Sequence, residues 1–124
     1  MHKIMIAAGK VSLPAELNDG PTASQIWKAL PIEGSANRWG DEIYFEIPVT
    51  AAQEPAARAD VEVGELGYWP VGRAFCIFFG PTPVSTDQRP RAYSPVNVVG
   101  RVVGDATAFR SVPDGAPVRI EPQP

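Results

Sequence analysis

Two apolar patterns dominate the chain. Glu42–Val49 alternates: Ile43, Phe45, Ile47 and Val49 fall on one face, and Glu42, Tyr44 and Glu46 on the other. That period of two predicts a half-buried strand whose polar face meets solvent. Ala74–Phe79, AFCIFF, is instead apolar without a break, which predicts a strand covered on both faces. A small domain can cover both faces by closing its sheet into a barrel and laying a helix over one opening. Thr22–Leu30 supplies the helix. Ala23, Ile26, Trp27 and Leu30 recur at helical spacing, Thr22 and Gln25 have capping-box spacing, and Pro31 ends the element.

Further strands flank these elements. Lys3–Ala7 and Val11–Leu17 flank a turn at Ala8-Gly9-Lys10, with Pro14 placing part of the second strand at an edge or bulge. Asp60–Val63, Val96–Val103 and Pro117–Glu121 read as further strands, and Gly100 implies a bulge or a close backbone approach. Thr50–Asp60 is polar and alanine-rich, Gly64–Gly72 reads as a glycine-spaced aromatic loop, and Val84–Pro95 as a long exposed loop. Asp105 caps a short helical turn ending near Phe109, and Pro113-Asp114-Gly115 forms a turn. The prediction is a mainly β fold: a closed barrel of about eight strands with one main helix and one helical turn.

With 124 residues, of which 44% are hydrophobic, the chain is expected to form one globular domain over residues 1–121, with 122–124 frayed. A net charge of -3 argues against nucleic-acid or anionic-membrane partners, which need a basic surface. No apolar run approaches the length of a membrane-spanning helix, about 18 residues or more. The N-terminal apolar stretch is interrupted by Lys10 and reads as a strand rather than a signal segment. A single cysteine permits no internal disulfide, consistent with a reducing, cytoplasmic setting.

Chemistry-bearing residues are sparse. His2 is the lone histidine and sits at the terminus, so no internal base is available for a serine or cysteine nucleophile. One cysteine and one histidine leave no metal set, and no cofactor motif is present. Cys76 lies inside the apolar run, where burial keeps a thiol inert. Glu42 and Glu46 share a strand face and could split acid and base roles, but solvated charges on an exposed face are the commoner origin of such a pattern. The aromatics Trp39, Tyr44, Tyr68, Trp69 and Tyr93, accompanied by Arg38, Arg73, Arg89 and Arg91, have the composition of a binding cleft.

Four motifs together resemble a small prokaryotic cyclophilin-like family of unassigned function: Leu17–Pro31, Asn37–Pro48, Gly64–Pro83 and Ser94–Val103. The resemblance implies the cyclophilin barrel. It does not imply the cyclophilin isomerase site. The strand that would carry the groove arginine reads EIYFEIP, so that position falls on Phe45 or Glu46. Cys76 stands where the groove would have an aromatic, and Val96 near where it would have a histidine. The expectation is a module binding a small molecule or short peptide segment through Tyr44, Glu46, Tyr68, Trp69 and Arg73, with Arg73 and Glu46 paired. The alternatives are a weak peptidyl-prolyl isomerase and a homodimer joined through exposed aromatics.

Overall fold

Gly9 and Lys10 turn the chain between β1 (His2–Ala8) and β2 (Val11–Leu17), which pair antiparallel with Ala8 opposite Val11. The computed structural model describes residues 1–124. The remaining elements are helix α1 (Pro21–Ala29), β3 (Ile32–Ser35), β4 (Asn37–Arg38), β5 (Glu42–Glu46), β6 (Arg58–Asp60), β7 (Glu65–Trp69), β8 (Ala74–Phe78), β9 (Arg91–Val102), a 3₁₀ segment (Ala106–Ser111) and β10 (Pro117–Pro122). The sheet runs in the order β3-β10-β1-β2-β9-β7-β8-β5-β4, with β6 added on β9.

The fold is mainly β, as expected, but the barrel does not close. β3 and β4 are the two ends of the sheet and no ladder joins them. They are consecutive pieces of chain separated by Ala36. Its N–H is taken by the Ala116 carbonyl at 2.8 Å and its carbonyl by the Gly115 N–H at 2.7 Å, so the chain bends there instead of extending a ladder. The curled sheet still wraps one core. Ile4, Ile6, Leu17, Ile43, Phe45, Leu66, Phe75, Ile77 and Phe109 are all buried in it.

Helix α1 lies against that core through Ala23 and Ile26. Trp27 is only half-buried and stacks on His2 at 4.2 Å and 9°. His2 is therefore a packed member of β1 and not a free terminal residue. The capping box does not form. Gly20 is the N-cap and Pro21 opens the helix, where its missing N–H costs nothing. The Thr22 N–H is instead met by the Glu54 carboxylate at 3.3 Å, which also accepts the Thr22 hydroxyl. Asn97 of β9 completes the network, donating to the Thr22 hydroxyl and to the Ala52 carbonyl at 3.0 Å each. A polar loop from elsewhere in the chain thus caps the helix.

Three sequence-predicted boundaries move. The segment read as an aromatic loop is mostly strand β7, flanked by turns at Val63–Gly64 and Pro70–Arg73. Strand β6 comes earlier than Asp60–Val63, and β9 starts at Arg91 inside the expected loop. Pairing partners decide these cases: β7 sits between β8 and β9, and β6 pairs the first half of β9. At the tail, Pro122 pairs with Ile4 and the Gln123 N–H donates to Lys3 at 3.0 Å, so the end is tied down.

Gly100 meets its expectation. A Cβ there would collide with the Glu16 carbonyl of β2. A register shift opposite Leu66 and Gly67 places a bulge at Val99, so Val99 and Val102 both face the core. On the N-terminal side of the bulge, Val96 faces the other way. It joins Val61, Cys76, Phe78 and Ala92 in a second cluster on the outer face of β8. β8 is covered on both faces, as its apolar run requires. The outer cover is the first half of β9 with β6.

Candidate functional site

Between that outer cover and the sheet lies a cavity of about 180 Å³. Its lining comes from four strands and one turn. β5 contributes Glu42 and Tyr44, β7 Trp69, β8 Cys76, and β9 Ala92, Tyr93 and Val96, while Trp39 comes from the turn before β5. Strand alternation explains the set. With Ile43 and Phe45 committed to the core, Glu42 and Tyr44 must face outward. Cys76 is opposite Tyr44 on the neighbouring strand.

The aromatic rim is held by specific contacts. The Trp39 N–H donates to the Glu42 carbonyl at 3.0 Å, closing the turn that brings the indole beside the glutamate. The Trp69 indole N–H donates to the Ser94 hydroxyl at 2.6 Å. Its ring lies over Gly72, where a Cβ would come within 2.6 Å of two ring carbons; only glycine lets the indole rest there. Tyr93 is 73% exposed and stands edge-on to Trp39 and to Trp69, 6.1 Å from each.

Glu42 is the unusual member. It is 5% exposed, among apolar neighbours, and its Oε1 has no hydrogen-bond partner. Burial pushes its carboxyl up to about 7, against the smaller, lowering influence of the adjacent Cys76 thiol. The thiol itself is raised well above its ordinary range, by burial first and by Glu42 second. It donates to the Ala74 carbonyl at 3.9 Å. A buried polar atom without a partner costs about 1–3 kcal/mol, and unsatisfied groups in native folds call for an explanation such as a bound partner.

The residues expected to form a site divide. Tyr44 and Trp69 line the cavity. Tyr68 does not: it points inward, fully buried, with its hydroxyl on the Val49 carbonyl at 2.6 Å. Neighbours on a strand face opposite ways, so Tyr68 and Trp69 could not both line one wall. Arg73 and Glu46 do pair, at 2.5 Å, but both are more than half exposed and outside the cavity. Arg73 sits in the left-handed region at φ 48, at the end of the β7–β8 turn, which aims its side chain along the surface. Glu42, which the strand pattern predicts to be a solvated charge, is instead buried. It shares the cavity wall with Trp39, Cys76 and the β9 residues Ala92, Tyr93 and Val96, a long-range grouping for which the alternation of Glu42–Val49 holds no signal. Trp39 and Tyr93 were recognisable as cleft-type aromatics. Arg38 is turned elsewhere, donating to the Val112 carbonyl at 2.7 Å while lying over the Phe79 ring.

The outer face of this mainly β fold thus carries an aromatic-rimmed cavity with no arginine among its lining residues. The sequence model described as "Cyclophilin-like" matches residues 2–121, and the chain belongs to that family. Among solved structures it is similar to the hypothetical protein AF2241 from Archaeoglobus fulgidus, solved in solution. The two share 40% identity over 98% of this chain and 95% of that one, with a TM-score of 0.84. No curated protein matches. No helix is long and apolar enough to cross a membrane.

Proposed function

We propose that the domain is a binding module whose outer-face cavity takes a small molecule or one side chain of a short peptide segment. One observation carries the reading: an apolar, aromatic-rimmed cavity with a single buried carboxyl on its wall whose Oε1 has no partner. Apolar walls with a few placed polar groups are the composition of ligand sites. NMR titration of the labelled protein with small neutral fragments and short peptides tests it. Shifts are expected to cluster at Glu42, Tyr44, Trp69, Cys76 and Tyr93. Shifts confined to other surfaces, or none with any probe, would overturn the reading.

The enzymatic alternative, a peptidyl-prolyl isomerase, is disfavoured by the lining. Isomerisation needs a donor that stabilises the twisted amide. No arginine lines the cavity: Arg38 holds backbone carbonyls and Arg73 holds Glu46. Glu46, one of the two residues on which the groove position falls, is exposed, paired with Arg73, and only accepts hydrogen bonds when ionised. In a proline-peptide assay the expected acceleration is negligible. Acceleration comparable to that of a true cyclophilin would restore the enzyme reading.

A further inference from the structure

We propose, resting on the binding reading above, that the cavity receives the head of a methylated ammonium ion. Trp39, Trp69 and Tyr93 would surround the methyl groups and Glu42 would supply the counter-charge.

An anion would meet a carboxyl with no cation among the lining residues. A neutral apolar group would fill the walls but leave the ionised carboxylate without a counter-charge. A primary ammonium would match the charge, but its compact, strongly hydrated head gives up its water at high cost. A methylated ammonium satisfies both demands, since its charge meets Glu42 and its methyl groups meet ring faces, whose quadrupole attracts cations. Size agrees: about 180 Å³ is below the roughly 300–1,000 Å³ of a drug-sized site and suits one head group with its tail outside. The local field agrees as well. Besides Glu42, the titratable groups facing the cavity are the Cys76 thiol and the phenols of Tyr44 and Tyr93. Burial keeps the thiol protonated. Asp41, next in chain to Glu42, is engaged by Arg110 at 3.1 Å and Arg38 at 3.5 Å, so it neither competes for the ligand nor neutralises it.

Calorimetry with choline and its neutral carbon isostere, 3,3-dimethylbutan-1-ol, tests the proposal on the intact chain. Choline is expected to bind at pH 8 at least tenfold more tightly than the isostere. With Glu42 near 7, only its ionised fraction is competent. Choline affinity should therefore rise about tenfold from pH 6 to pH 8, with proton release seen as a buffer-dependent enthalpy. Glu42→Gln should abolish the pH dependence and most of the preference for choline. Tyr93→Leu, at an exposed position, should weaken choline about fivefold. A trimethyllysine peptide run in parallel identifies the source of the head group. Tighter binding than choline assigns a modified protein side chain, and weaker binding a free small molecule; either supports the proposal. Equal or tighter binding of the isostere would overturn it, as would choline affinity that falls with rising pH. Failure of choline and the trimethyllysine peptide while neutral fragments still shift the cavity residues would also overturn it, and would leave the binding reading intact.

Discussion

Tyr68→Ala is expected to destabilise the domain by about 3–5 kcal/mol, the cost of truncating a large aromatic in a packed core, and to produce the largest stability loss among the aromatic positions. Tyr68 is fully buried in the main core cluster. Its ring fills the curl of the sheet, and its hydroxyl serves two backbone groups beyond β5. It donates to the Val49 carbonyl at 2.6 Å and accepts from the Ala51 N–H at 3.3 Å. Tyr68→Phe keeps the volume and deletes only that bridge, so about 1–3 kcal/mol should be lost there, the cost of a buried group left unpaired. Chemical denaturation of the two variants measures both. The neighbouring Trp69 should behave oppositely, with a modest effect on stability and a large one on ligand binding. A Tyr68→Phe variant as stable as the parent would show that the Val49–Ala51 segment holds without the bridge.

The second large effect is a pH dependence owed to one residue. Glu42 has a folded-state value of about 7 against an ordinary 4.5. Above about pH 4.5 the unfolded chain has released this proton while the folded chain still holds it. The unfolded state then binds fewer protons, so stability falls as pH rises. The loss accumulates between about 4.5 and 7 and levels off above, and reaches about 3 kcal/mol. The stabilisation is thus fully present at low pH and gone once pH has risen through the folded value. Denaturation midpoints of the parent and of Glu42→Gln across pH 4–8 test this. The parent should lose about 3 kcal/mol more than the variant over that range, whatever offset the amide introduces. Parallel profiles would mean that the carboxyl reaches water and ionises normally. A cationic ligand should reduce the loss, because it binds the ionised form of the folded state.

Residues of this cavity show where sequence reasoning is strong and where it stops. Local rules placed most elements. Alternation in Glu42–Val49 located β5 and its two faces, the apolar run located β8, and Gly100 marked a contact that no side chain could share. Asp105 was legible as the cap of its 3₁₀ segment, where it accepts from the Thr107 N–H at 3.0 Å. Each of these is decided within a few residues, by pleat, steric bulk or a short-range hydrogen bond. Their combination was specific enough to reveal the family.

What escaped depended on partners distant in the chain. The helix cap lay in Glu54, and strand β7 was recognisable only from its position between β8 and β9. The open ends of the sheet followed from Ala36 being claimed by the Ala116 loop. Above all, the same outward face of β5 holds an exposed Glu46 and a buried Glu42. The pleat determined by the sequence alone puts both carboxylates on that face. Only tertiary structure decided which would lose its water, because desolvation depends on what surrounds each side chain: Glu42 sits in a wall built with Trp39, Cys76 and residues of β9, and Glu46 lies outside it, exposed beside Arg73.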